Sequence, residues 1–241
     1  MNKDNIYKTP LTSVDRFSFD ETVTNVFTDM IQRSVPGYQY INEMTGLVAA
    51  QNIQNETNCY DLGCSLGAST LSVIQQSQLK TYHMIAVDNS QSMITKFHHQ
   101  LKTSKPNQKV KLICDDVQNI NISNASVVIL NFTLQFIEKN HRLDIIKNIW
   151  NGLVPNGVLI LSEKIKIEQP EQNKLLTDLH HVFKKVNGYS DLEISQKRTA
   201  LENVLQPDTV DNHMQRLQQA GFKSSLQWFQ CFNFVSILSK K

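Results

Sequence analysis

Between Asn58 and Leu161, short apolar runs alternate with longer stretches of helical periodicity, and few folds accommodate that alternation. The runs are Asn58–Leu62, Met84–Val87, Val110–Cys114, Val127–Asn131 and Val158–Leu161. The helical patterns Leu66–Gln76, Ser90–Leu101 and Asn140–Gly152 lie between them. Strands alternating with helices argue for a parallel sheet covered on both faces, because a parallel connection needs a crossover long enough to hold a helix. Pro106-Asn107 precedes the third run and Pro155-Asn156-Gly157 the fifth, and both read as turns.

Apolar faces over Asp20–Ser34 (Val23, Val26, Phe27, Met30, Ile31) and Tyr40–Asn52 (Ile41, Met44, Leu47, Val48) predict two leading helices, separated by Pro36-Gly37. Residues 165–206 interrupt the alternation with polar, helical sequence. They leave from the carboxyl end of a strand, where open α/β sheets bind ligands, and are expected to form a lid. Thr209–Gln219 predicts a helix stopped by Gly221, and Ser224–Phe229 with Phe232–Leu238 predict adjacent antiparallel strands. A mostly parallel sheet ending in such a pair is typical of Rossmann-like methyltransferase folds, whereas NAD-binding domains usually continue parallel. The expected organisation is one domain over 1–241. It divides into N-terminal helices (1–55), a binding core (57–164), a helical lid (165–206) and a final helix with a strand pair (207–241).

Charge excludes some partners. The 241 residues carry a net charge of +2, too little to hold nucleic acid by bulk electrostatics. No apolar run reaches the roughly 18 residues of a membrane span, and the leading MNKDNIYKTP lacks a signal-peptide core, so a cytoplasmic protein with no membrane partner is expected. Cys59, Cys64, Cys114 and Cys231 form no CxxC pair. They read as buried free thiols, with no disulfide framework and no metal site.

The first strand runs into YDLGCSLGAST, in which Asp61, Gly63, Ser65 and Gly67 stand at alternate positions. Glycines here let a backbone approach a ligand, and the following helix offers free N–H groups. A dinucleotide turn would read G-x-G-x-x-G, but that frame meets Ser65 and Ala68. The turn fits better the amino-acid part of S-adenosylmethionine; a tight strand–helix turn without a ligand is the alternative.

Three further strand ends carry polar residues. Asp88 lies 25 residues beyond Gly63 and suits a ribose diol, with Asn89 or Ser90 capping the next helix. Asp115-Asp116 ends the third strand and suits an adenine amino group. Asn131 ends the fourth and suits the ligand's amino-acid or sulfonium end. Any one of them alone reads as a turn residue; four at successive strand ends point to a ligand. His98-His99 and His180-His181 read as exposed helix residues, Trp150 and Trp228 as core, and Lys184-Lys185 and Lys240-Lys241 as solvated. No nucleophilic Ser/His/Asp or Cys/His order is evident.

Six stretches carry a resemblance: DMIQRSVPGY (29–38), YDLGCSLGA (60–68), NFTLQF (131–136), LSEK (161–164), NGYSDLEISQKR (187–198) and WFQCFNF (228–234). Together they resemble the bacterial carboxy-S-adenosyl-L-methionine synthases over nearly the whole chain. The resemblance implies a seven-stranded methyltransferase sheet, a homodimer, and conversion of S-adenosyl-L-methionine and prephenate to carboxy-S-adenosyl-L-methionine and phenylpyruvate. A partner tRNA carboxymethyltransferase then uses the product on a wobble uridine. Matched motifs imply ligand contacts from Tyr38, Gly63, Cys64, Ser65, Asp88, Asn89, Asp116, Val117, Asn131 and Arg198.

Arg198 is the residue the resemblance makes catalytic, as the partner of the added carboxylate. A second cation beside a plain sulfonium methyl would repel it, whereas a carboxymethyl sulfonium gains a bidentate guanidinium pair. Taken alone, an arginine after Gln196-Lys197 reads as a surface residue. Arg33 and Lys164 are candidates for prephenate, although structural roles suit each better. A conventional methyltransferase on the same core is the rival reading, and a noncatalytic interaction protein the third.

Overall fold

A computed structural model describes residues 2–241. Seven strands form one sheet in the order β3-β2-β1-β4-β5-β7-β6. They are β1 (Asn58–Leu62), β2 (His83–Asp88), β3 (Val110–Cys114), β4 (Ala125–Asn131), β5 (Leu153–Lys164), β6 (Ser224–Cys231) and β7 (Phe234–Lys240). The first five run parallel, while β7 lies antiparallel to both β5 and β6. The helices are α1 (Glu21–Ser34), α2 (Tyr38–Asn52), α3 (Ala68–Gln76), α4 (Gln91–Ser104), α5 (Lys139–Gly152), α6 (Pro170–Val186), α7 (Asp191–Leu201) and α8 (Val210–Ala220). None is long and apolar enough to cross a membrane.

Strand alternation sorts the core into two layers. Val128, Leu130, Leu159 and Leu161 face Ile145, Ile146 and Ile149 of α5 and Leu217 of α8. Val127, Ile129, Val158 and Ile160 face the opposite way, with Ala49 of α2 and Val73 and Ile74 of α3. β1 pairs with β2 on one side and β4 on the other, so the chain reverses its strand order there. A crevice opens at that reversal, outside the carboxyl ends of the strands.

Three expectations need correction. Pro155-Asn156-Gly157 is not a turn before a strand. It lies inside β5, which starts directly after α5 and changes register against β4 between Ala125 and Val127. Asn156 takes φ +64° in that bulge, a conformation Asn tolerates. Lys241 is not solvated; its ammonium donates to the carbonyls of Trp150 and Leu153, both at 2.7 Å, and so closes the end of α5. Of the four cysteines only Cys59 and Cys64 are buried; Cys114 is exposed and Cys231 half-buried.

Arg142 on α5 is fully buried and holds Asp208, just before α8, at 2.8 Å. Arg216 and Lys139 also reach Asp208, at 2.5 and 3.3 Å. Burial pushes the Asp208 carboxyl up, but Arg216 and Arg142 outweigh it and hold the group at about 2. A depressed carboxyl stabilises the fold above its unfolded pKa and loses that contribution as pH falls through the folded value. Wild-type stability should therefore drop as pH falls from 3.8 toward 2, and Asp208→Asn should weaken that dependence, Asp29 supplying part of what remains. Arg142→Met should cost about 3 kcal/mol or more, because buried acceptors lose their donor; urea unfolding checks both.

Candidate active site

The ends of β1, β2, β4 and β5, with the turn after β3, converge on a cavity of about 640 Å³. The turn after β1 is built around close approaches. Gly63 has φ +79°, and a Cβ there would stand 2.1 Å from Thr133 Oγ1. Gly67 has φ +78°, and its Cβ would meet the Phe97 ring at 2.0 Å. Ser65 takes φ +50° where a plainer turn would use glycine, and its N–H donates to Asp88 Oδ2 at 2.8 Å. Phe132 is also left-handed, at φ +56°. Two side-chain-bearing residues held in this region at one cavity mark a site whose surroundings overdetermine it.

Asp88 joins two elements, since its other oxygen accepts from Ser90 N–H at 2.9 Å. Ser90 in turn caps α4 by accepting from Met93 N–H. Burial raises the Asp88 carboxyl, and the Ser90 and Ser65 donors oppose that rise. Each carboxylate oxygen retains a lone pair for a ligand hydroxyl. Asp116 uses Oδ1 to accept from the backbone and side chain of Gln118, at 2.9 and 3.1 Å. Buried Asp61 accepts from Thr70 N–H and hydroxyl, and burial lifts it to about 6.

Asn131 donates to Ser69 and Thr45, at 3.0 and 3.3 Å, but its buried Oδ1 has no partner among the described residues. An orphaned acceptor on a cavity wall asks for a ligand donor such as an ammonium. Tyr38 stands behind left-handed Gly37 with its ring tilted on Phe132, centroids 6.1 Å apart, and burial pushes its hydroxyl to about 12. Tyr38, Gly63, Cys64, Ser65, Asp88, Asn89, Asp116, Val117 and Asn131 all line this one cavity. Arg198 does not line it; it is exposed on α7, and its neighbour Lys197 faces the cavity instead. Successive helix positions point about 100° apart, which separates the two.

The opposite wall is cationic. Lys164 from β5, His180 and Lys184 from α6 and Lys197 from α7 line it. Here the sequence expectation was wrong for two residues. His180 is buried, with Nε2 at 2.7 Å from Ser34 O and its ring edge-on to Phe234. Burial and nearby lysines lower it to about 2, so it is neutral and donates that bond. Lys184 is half-buried, not solvated. Patterning alone misplaces both: Leu175, Leu179, Val182 and Val186 form an apolar face that would ordinarily turn to the core, but here it is exposed, so His180 and Lys184 turn inward. Arg33 lies off the cavity, held by Asn187 O, Asp4 O and Asp29 and stacked 3.8 Å from the Tyr189 ring centroid. The N-terminal segment closes the cavity with Arg16, Phe17 and Phe19, pinned by Phe17 N–H to Ala200 O and by Ser90 Oγ to Phe19 O.

Comparison with known proteins decides the family. A methyltransferase-domain profile matches residues 60–157. The carboxy-S-adenosyl-L-methionine synthase of Geobacter sp. (strain M21) is 54% identical over 99% of this chain and 98% of its own. The synthase of Actinobacillus pleuropneumoniae serotype 5b (strain L20) is 48% identical over the full length of both. The chain belongs to the carboxy-S-adenosyl-L-methionine synthase family. Solved structures share the fold at low identity. An O-methyltransferase family protein from Burkholderia thailandensis gives a TM-score of 0.65 at 13% identity, over 92% of this chain and 60% of that one. The cyclopropane synthase MmaA2 from Mycobacterium tuberculosis gives 0.57 at 13%, over 76% and 62%.

Ser65 supplies a direct test of the turn. Ser65→Gly should change stability by less than about 1 kcal/mol, relief of the left-handed conformation offsetting glycine's chain entropy. Ser65→Val should lower it by about 1–2 kcal/mol, because a β-branched residue resists this region. Thermal unfolding of the two variants reads both.

Proposed function

We propose that this protein converts S-adenosyl-L-methionine and prephenate to carboxy-S-adenosyl-L-methionine and phenylpyruvate, supplying the donor that a tRNA carboxymethyltransferase uses on a wobble uridine. The observation that carries this reading is the bipolar cavity behind the family match. Asp88, Asp116 and the orphaned Asn131 Oδ1 favour a cationic ligand on one wall, and Lys164, Lys184 and Lys197 favour an anionic one on the other. A methyltransferase acting on a neutral acceptor has no use for the second wall.

Adenosylmethionine would lie with its ribose on Asp88 and Asn89, adenine beside Asp116 and Val117, and its amino-acid end toward Gly63, Cys64, Ser65, Asn131 and Tyr38. The chemistry needs no protein nucleophile. Prephenate loses CO2 as its ring aromatises and expels hydroxide. Hydroxide takes a proton from the methyl group of the sulfonium, forming water and an ylide. The ylide carbon attacks CO2, and the new C–C bond gives the carboxymethyl sulfonium. The protein's contribution is positioning and exclusion of water. The 165–206 segment and the Arg16–Phe19 strap would close over the substrates as a lid.

Arg198 is our candidate for the new carboxylate. Its charge, after burial, is what lowers Lys164, and it also acts on His181. An exposed, flexible side chain at that rim can swing onto a product carboxylate. A homodimer is the proposed assembly. Leu175, Leu179, Val182 and Val186 alternate in steps of four and three along α6, with exposures of 58%, 37%, 55% and 81%, the seam a partner helix packs against.

Incubation with adenosylmethionine, with and without prephenate, followed by mass spectrometry of the nucleosides tests the reaction. A species heavier by one CO2, formed only with prephenate, is expected; S-adenosylhomocysteine formed with a methyl acceptor would restore the conventional methyltransferase reading. Arg198→Ala should reduce product formation at least about tenfold while adenosylmethionine affinity changes less than about threefold. Leu179→Asp with Val182→Asp should shift the protein to monomer in light scattering.

A further inference from the structure

The lysine wall contains more positive charge than the protein itself neutralises. Lys197 is tethered: its ammonium donates to Ser34 Oγ at 3.1 Å and lies 3.8 Å from Asp4 Oδ2. The ammonium groups of Lys164 and Lys184 have no hydrogen bond and no ion pair among the described residues, although both side chains are half-buried on the cavity wall. Buried lysines are ordinarily paired. His180 adds no counter-charge, because its imidazole is neutral and its Nε2 is used by Ser34 O.

Adenosylmethionine does not balance these groups: its single carboxylate could meet at most one of them. It carries a sulfonium and an ammonium against one carboxylate, so it is a net cation and two further cations repel it. Its wall is the acidic one around Asp88 and Asp116. We infer that Lys164 and Lys184 form the subsite for the carboxylates of a second, dianionic substrate, with the tethered Lys197 as a third cation behind them. This rests on the carboxyl-transfer reading above and names the residues by which that reaction recognises its carboxyl donor.

The electrostatics agree. Burial, then the charges of Lys197 and Lys164, lowers Lys184 to about 7. Burial lowers Lys197 to about 8, with Asp4 pulling it up and Arg33 pushing it down. Burial and Arg198 lower Lys164. The charged and titratable groups facing Lys184 are thus Lys164 on β5, Lys197 on α7, and His180 and His181 on its own helix. A bound dianion favours the charged lysines, so binding near pH 8 takes up protons.

The wall also lowers stability in the free protein. A lysine whose folded pKa is depressed destabilises the fold below that value, and the penalty fades as pH rises toward the unfolded 10.5. Removing such a lysine should stabilise the free protein at neutral pH, the reverse of removing a structural ion pair.

The test titrates prephenate into protein saturated with S-adenosylhomocysteine, by calorimetry at pH 8 in two buffers of different ionisation enthalpy. Wild type should take up protons. Lys164→Met and Lys184→Met should each weaken prephenate at least about tenfold, leave S-adenosylhomocysteine affinity within about twofold, and shrink the proton uptake. Both variants should melt at or above the wild-type temperature at pH 7. Unchanged prephenate affinity in both variants, or a lowered melting temperature in both, overturns the subsite. Lysine-dependent prephenate binding without carboxylated product would sink the carboxyl-transfer reading and leave the subsite standing. Product formation with a prephenate KM indifferent to both lysines would do the opposite, and wild type that binds no prephenate overturns both.

Discussion

The carboxylate of Glu163 accepts from three consecutive backbone N–H groups, Thr133 at 3.2 Å, Leu134 at 2.9 Å and Gln135 at 2.9 Å. This one side chain fastens the end of β5 to the loop that follows β4. Burial pushes its carboxyl up to about 8, against the three donors and Arg142, which favour the charge. The consequence reaches both walls of the cavity. Thr133, held by its N–H, sets its hydroxyl against Leu62 O at 3.0 Å and occupies the space that a side chain at Gly63 would need. Phe132 is thereby forced left-handed, with its N–H on Ser162 O. One residue further along β5, Lys164 turns to the cavity while its own N–H donates to Gln135 Oε1 at 3.0 Å. The glycine turn, the Asn131 end of β4 and the first lysine of the cationic wall therefore share a single anchor.

That anchor titrates in the sense opposite to the lysines. A carboxyl raised to about 8 stabilises the fold below its unfolded pKa near 4.5 and loses that contribution as pH rises. Lys184 and Lys197, lowered to about 7 and 8, cost stability below those values and recover it above. The carboxyl's slope spans about pH 4.5 to 8 and the lysines' slopes begin at about 7 and 8 and end at 10.5, so the two oppose one another only near pH 7 to 8. At neutral pH Lys197 is still mostly protonated and Lys184 about half so. An anion arriving there meets a site already arranged for it and draws the lysines toward full protonation as it binds.

How much of this the sequence revealed depends on the range of the interaction. The five parallel strands, the two leading helices and the Gly221 stop follow from periodicity and turn chemistry, which act over a few residues; they stand within a few positions of expectation except β5, which runs on at both ends. The acidic wall was readable for a related reason: Asp88, Asp116 and Asn131 all sit at strand ends, and topology alone brings strand ends together. The cationic wall was not readable that way. Lys164, Lys184 and Lys197 come from a strand and two helices, and only the packing of α6 and α7 unites them. The apolar stripe of α6 points the wrong way by pattern, since it would ordinarily face the core; here it faces outward and turns Lys184 and His180 in. Proline and glycine at Pro155 and Gly157 misled because a bulge inside a long strand uses the same residues as a turn.

The two walls also suggest why such a site turns over. Under the proposed reaction, a net cation on the acidic wall meets a dianion on the lysine wall, and opposite fields draw each to its place. Carboxyl transfer moves one negative charge across the cavity. The sulfonium ligand becomes a neutral zwitterion and the donor leaves as a monoanion. Each wall then holds a ligand of smaller charge than the one it selected, so the field that assembles the substrates grips the products less. On the proposed reading, Arg198, exposed and outside the cavity, would receive the transferred carboxylate without having repelled the sulfonium before transfer. An arginine fixed inside the cavity would aid the second state and oppose the first.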